Sequence, residues 1–218
     1  MRYLLTHRKK ELRYLLFWPI YLFFFAVLER VWPAGHYTVV WCPLDDMIPF
    51  CEVFLIAYVA WFVFMAGVHV YTIFRSPGAY RKMMQFFCVT FGLTTLLYFI
   101  WPTCQELRPE TFPRDNVLTT IVSWLYAIDT PTNVCPSMHV IGSVAALLGA
   151  WWAKGLNRPL PRVLFTVLTV LISLSTVFLK QHSAVDVFAA IPMCMIGYLV
   201  VYGLPWCSSR KPMEALEA

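Results

Sequence analysis

Six apolar segments fill most of this chain, at about Leu15 to Trp32, Phe50 to Phe74, Met84 to Trp101, Met138 to Ala153, Val163 to Leu179 and Ala184 to Leu204. Each approaches the ~20 residues that an α-helix needs to cross hydrocarbon. The fourth and fifth are short, and cross only if they stand nearly upright or the bilayer thins around them. Helices and closed barrels alone satisfy their backbone in lipid, and the ten-residue alternation of a barrel strand is missing. The predicted fold is therefore all-α, a bundle of six transmembrane helices. With 60% hydrophobic and 13% charged residues, a soluble domain is excluded. Met1 to Arg13 is basic like a signal peptide, but the apolar run behind it is too long and too aromatic and lacks a small-residue cleavage site, so it is expected to remain as the first span. No repeat, low-complexity tract or linker divides the chain, and residues 1–218 read as one domain.

Orientation follows from the cations. Arg2, Arg8, Lys9, Lys10 and Arg13 precede the first span. Arg75, Arg81 and Lys82 fill the second connection, Lys154, Arg158 and Arg162 the fourth, and Arg210 and Lys211 the tail. The opposite side collects Asp45, Asp46, Glu52, Glu106, Glu110, Asp115 and Asp129. The positive-inside rule puts both termini in the cytoplasm, and six spans agree in parity. A multi-pass protein of the cell membrane is expected, its bilayer being its first partner; no nucleic-acid partner is expected. The lack of a targeting peptide or retention tail fits a bacterial plasma membrane best.

On that reading the fourth and sixth spans both begin outside the membrane, and each has a histidine at its mouth: His139 in Pro136-Ser137-Met138-His139, and His182 in Lys180-Gln181-His182-Ser183-Ala184-Val185-Asp186. Ionisable groups beside hydrocarbon-length segments are expensive to keep and point to function. Two helix N-termini facing one space attract an anion through their free amides and dipoles. Ser137 is an expected N-cap whose hydroxyl or amide can alternatively hold a phosphate oxygen. His182 and Asp186 are spaced i and i+4, so on a helix they share a face, and the carboxylate can fix the imidazole tautomer.

These residues resemble the type 2 phosphatidic acid phosphatase (PAP2) superfamily, whose membrane members have six helices and three motifs on one side. The second motif, Pro-Ser-Gly-His, is similar to Pro136-Ser137-Met138-His139, with Met138 in the glycine's place. The third is matched at Ser175, His182 and Asp186, with Thr176 where the family has arginine and Lys180 as the nearest cation. The first is half present as Arg108-Pro109, with Trp101 where the lysine falls and Arg114 as a substitute cation. The resemblance covers residues 101–190. Its departures lean towards the branch that includes sphingomyelin synthase-like and inositol phosphorylceramide synthase-like phosphotransferases.

The resemblance implies that His182 is the nucleophile, giving a phosphohistidine, that Asp186 orients it, and that His139 is the general acid and base. Ser137, Arg108, Lys180 and Arg114 would hold the phosphate, and the substrate would be a phospholipid. No metal or cofactor is expected, since His7, His36 and His69 are scattered and no metal-binding motif occurs. Hydrolysis of a lipid phosphate monoester is the first expectation, transfer of a phospho-headgroup to an alcohol the second, and a non-catalytic transporter or lipid-binding bundle the third. Cys42, Cys104 and Cys135 fall on the outer side, where a disulfide is possible.

Overall fold

The computed structural model describes residues 9–31 and 34–203; Trp32, Leu204, Cys207 and the cations Arg2, Arg8, Arg210 and Lys211 lie outside them. Among the described residues the chain forms eight helices: α1 (Glu11–Val31), α2 (Pro43–Met47), α3 (Glu52–Arg75), α4 (Pro77–Ile100), α5 (Val117–Ile128), α6 (Met138–Trp152), α7 (Pro159–Phe178) and α8 (Ala184–Gly203). Two short strands, β1 (Thr38–Val39) and β2 (Thr103–Cys104), pair in parallel. Helices α1, α3, α4, α7 and α8 are long and apolar enough to cross a membrane. Their outward faces are apolar too: Phe23, Val63 and Phe99 are each about two-thirds exposed or more.

The fourth expected span is α6, with 15 residues. At 1.5 Å per residue it is only ~22 Å long, against a hydrocarbon core of ~30 Å. It lies at the centre of the bundle, packed on α3, α4, α7 and α8. Eleven of its residues are buried. Small residues make this possible: a β-carbon on Gly149 would lie 2.5 Å from Met83 Sδ, and Gly197 of α8 likewise rests on Phe86 and Thr90 of α4. The fifth expected span is longer than its apolar run, because α7 starts at Pro159 and its first turn accommodates proline, whose missing N–H has no helical partner there. His69 is a packing residue, its Nδ1 2.7 Å from Met65 O and its ring against Trp18 and Phe87.

Outside the bundle, loops at one end are tied together by specific hydrogen bonds. Glu29, on the last turn of α1, accepts from Thr130 Oγ1, from Thr132 Oγ1 at 2.8 Å and from Asn133 Nδ2 at 2.5 Å. Thr103 Oγ1 of β2 accepts from the amides of Val134 (3.2 Å) and Cys135 (3.1 Å). The segment leading into α6 is thereby held from both sides. Helix α5 is apolar along its whole length apart from Thr119, Thr120 and Ser123. Asn116 caps it, accepting from the amides of Leu118 and Thr119 at 2.9 and 3.1 Å. It buries Val122 and leaves Val117, Trp124 and Ile128 exposed. Cys42, Cys104 and Cys135 are free thiols.

Candidate active site

The start of α8 builds the first half of the site. Ser183 is its N-cap, accepting from Val185 N at 3.1 Å, and Asp186 at the third helical position returns Oδ2 to Ser183 N at 3.0 Å. This reciprocal box fixes the carboxylate before any tertiary contact is made. The same oxygen lies 3.0 Å from Nδ1 of His182, and Asp186 is fully buried. The i, i+4 contact is therefore made across the cap, with His182 just ahead of the helix, instead of along a helical face. A carboxylate only accepts, so Nδ1 carries the proton and Nε2 presents its lone pair. Cys135 lies beside Asp186; burial and that carboxylate push its thiol up to about 12.

His139, in the first turn of α6, supplies the second half. Its ring centroid is 5.7 Å from that of His182, at an interplanar angle of 68°. Tyr58 and Trp61 of α3 pack on it at 4.7 and 4.8 Å. Backbone joins the two motifs, Ser137 N donating to Asp186 O at 3.0 Å. Both imidazoles open into one cavity of about 560 Å³, within the usual range for small-ligand sites. Aromatic rings of α1, α3 and α4 form the largest part of its wall, including Trp18, Tyr21, Trp61 and Phe91; Asp129, Thr130, Thr132, Asn133 and Gln181 supply the polar part. Among the described residues no lysine or arginine lines it.

The expected phosphate ligands are distributed unequally. Arg108 is tied to the cavity wall: it donates to Tyr126 O (2.9 Å), Asp129 O (2.8 Å) and Gln181 Oε1 (2.6 Å), and stacks on Tyr126 at 4.5 Å. Burial lowers its guanidinium from the ordinary value, while Asp129 works in the opposite sense. Its Nε is buried without a partner. Ser137 occupies the N-cap position of α6, yet its side chain makes no cap bond and its buried Oγ has no partner. Its amide is committed to Asp186. Lys180 is turned aside, donating to Asp45 O (2.7 Å) and Ile48 O (2.5 Å). Burial lowers its ammonium, and Asp45 and Asp46 offset that. Arg114 is exposed and pairs with Glu52 at 3.2 Å.

Several residues at the site carry no signal in the sequence reading. Asp45 of α2 accepts from Ser183 Oγ (2.5 Å) and Ala184 N (2.7 Å), so it braces the helix that carries Asp186. Asp129 accepts the Tyr58 hydroxyl at 3.1 Å on the cavity wall. Gln181, the residue immediately before His182, accepts from Arg108 and so ties that guanidinium to the segment that carries the imidazole. Asp45 and Asp129 counted only as outer-side charge, and the Tyr58 and Trp61 rings are indistinguishable by composition from the bundle's other aromatics.

A sequence model of the PAP2 superfamily matches residues 86–212, more than half of the chain and both histidine segments. No curated protein and no solved structure gives a match. The coverage of that match, together with five membrane-length helices around a short central one, makes this chain a member of the PAP2 superfamily.

Proposed function

We propose that the protein is a membrane lipid phosphatase that hydrolyses a lipid phosphate monoester through a phosphohistidine at the extracytoplasmic surface. The observation that carries the reading is the meeting of His139 and His182 in one cavity, with His182 Nδ1 held on Asp186. His182 Nε2 attacks phosphorus in line, forming the N–P bond as the P–O bond to the lipid alcohol breaks. His139 gives its proton to the departing oxygen, then takes one from the water that attacks the phosphohistidine; the N–P bond breaks and phosphate leaves. Asp186 stabilises the positive charge that His182 acquires. Arg108, bonded to Asp129 and Gln181 of the cavity wall, supplies the positive charge that offsets the non-bridging oxygens from behind that wall, with the unpartnered Ser137 hydroxyl as a further donor. The aromatic wall takes the acyl chains. The extracytoplasmic placement rests on the Lys and Arg distribution.

A second reading, transfer of a phospho-headgroup to an alcohol, is favoured by the cavity wall. A phosphate monoester dianion calls for more than one cation, and here Lys180 and Arg114 are engaged elsewhere. A diester carries one negative charge and asks less of a cavity whose nearest bonded cation, Arg108, sits behind the Asp129 and Gln181 wall. Incubation of purified protein with labelled phosphatidic acid, other phospholipids and candidate alcohols separates the two: free phosphate as the product supports hydrolysis, and a new phosphodiester supports transfer. Undiminished turnover in both His182→Ala and His139→Ala would reject either enzymatic reading.

A further inference from the structure

At the end of α6 opposite the histidines, the short helix leaves a recess. Helix α6 stops at Trp152, ~8 Å short of the hydrocarbon thickness. There a pocket of about 400 Å³ is lined by Leu148, Trp151, Trp152, Asn157, Arg162 and Tyr198. Its polar groups are mainly donors: the guanidinium of Arg162, 6.0 Å from the Trp151 ring, the Asn157 amide, and Trp151 Nε1, which is buried without a partner. Lys82 Nζ stands beside it, 5.3 Å from the Trp152 ring and 5.1 Å from that of Tyr202. No carboxylate lines the pocket, and among the described residues neither Lys82 nor Arg162 has an acidic partner.

An apolar groove of about 360 Å³ leads away from this pocket between α6 and α8, sharing Leu148 and Tyr198 with it. Val140, Val144 and Leu148 line one side at helical spacing, and Ile191, Cys194 and Met195 line the other. From Val140 to Leu148 it runs ~12 Å along the helix axis. Its wall is almost wholly apolar, whereas the recess at its end is cationic.

We propose that the recess and groove together bind an anionic phospholipid of the surrounding bilayer, the phosphate seated among Arg162, Lys82, Asn157 and Trp151 Nε1 and one acyl chain lying between α6 and α8. Cationic pockets between spans suit anionic headgroups, with each Lys or Arg strengthening the attraction, and a tryptophan N–H beside them adds a directional donor. The site shares no lining residue with the histidine cavity, so it stands whether or not the catalytic reading holds. A lipid there would fill the space left beneath a helix too short for its membrane.

The test uses the full chain in lipid nanodiscs of phosphatidylcholine doped with a photoactivatable phosphatidylglycerol, crosslinked positions being mapped by peptide mass spectrometry. Crosslinks are expected in the peptides that contain Trp151 to Arg162 and Cys194 to Tyr202, with a phosphatidylcholine probe labelling them far less. The double variant Lys82→Gln, Arg162→Gln should lower that labelling about tenfold or more while crosslinks near His139 and His182 persist. Ile191→Trp, which places an indole in the groove and leaves both cations intact, should lower it as well. Equal labelling by the phosphatidylcholine probe, or undiminished labelling in both variants, would overturn the assignment. So would displacement of the probe by millimolar inorganic phosphate, which would mark a site for a free anion.

Discussion

Asp45 Oδ2 accepts the hydroxyl of Ser183 at 2.5 Å, and Asp45 Oδ1 accepts the Ala184 amide at 2.7 Å, across 138 residues of chain. A carboxylate from the short helix α2, ahead of the second span, thus completes the cap of the helix that starts next to His182. The cap box of Ser183 and Asp186 is local; its orientation in the bundle depends on this distant brace.

Removing that brace should be felt in both stability and rate. Asp45→Ala leaves a buried hydroxyl and a helix amide without their acceptor, at a cost of about 1–2 kcal/mol. Turnover should drop with it, because His182 loses its fixed position. Asp45→Asn retains an acceptor for Ala184 N and should recover part of both. Thermal unfolding in detergent and turnover on the same samples check this.

For the histidine pair, His182→Ala should abolish both turnover and any acid-labile phosphoenzyme. His139→Ala should slow turnover about 10²–10⁴-fold, the usual contribution of a general acid and base. Asp186→Asn should reduce the rate about 10³–10⁴-fold with little change in fold, since an amide can present its N–H to Nδ1 and invert the tautomer. Turnover assays and a labelled-phosphate trap distinguish the three.

The three cations should separate sharply. Arg108→Lys cannot reproduce a guanidinium shared among Tyr126 O, Asp129 O and Gln181 Oε1, and turnover is expected to fall about 10²-fold or more. Arg114→Gln should leave the rate within about twofold, as an exposed ion pair contributes little. Lys180→Met should act mainly on stability, because its ammonium holds the carbonyls of Asp45 and Ile48. Equal losses of rate in all three would contradict this ranking.

Cys135 offers a pH test. Its thiol is pushed up to about 12 by burial and the Asp186 carboxylate, so the reactive thiolate stays scarce at pH 8 while an ordinary cysteine is already partly ionised. Alkylation of Cys135 by iodoacetamide should be slower than that of a free peptide thiol by a factor of about 10³, and should keep rising with pH beyond 10 without a plateau. The sign for stability follows: the unfolded chain releases this proton first, so stability should fall as pH rises above the thiol's ordinary range. Asp186→Asn should speed alkylation.

Much of this protein is written locally. Hydropathy alone marks the spans, because hydrocarbon leaves the backbone no partner outside a helix or barrel. Proline at the head of α4 and α7, Asn116 before α5 and the Ser183–Asp186 box are likewise set by neighbours a few residues apart. The contact between His182 and Asp186 belongs with them. Its spacing is visible in the chain, although the structure makes it over a helix cap and not along a helix face.

Other features depend on which surfaces meet. Nothing in residues 136–139 specifies that the imidazole of His139 packs against Tyr58 and Trp61, 5.7 Å from that of His182. Lys180, Arg114 and Arg108 look equivalent as cations in a sequence, yet Asp45 and Ile48, Glu52, and Gln181 divide them among different tasks. Likewise the small residues Gly142, Ser143, Ala145, Ala146, Gly149 and Ala150 mark α6 as a central span, but only the packing shows that its short length opens a recess at one end. Local hydrogen bonds and hydropathy need only near neighbours, so the chain alone determined the helices and their caps. Contacts between residues tens to over a hundred positions apart require loops to close and side chains to compete for partners, and that competition was decided by the tertiary structure.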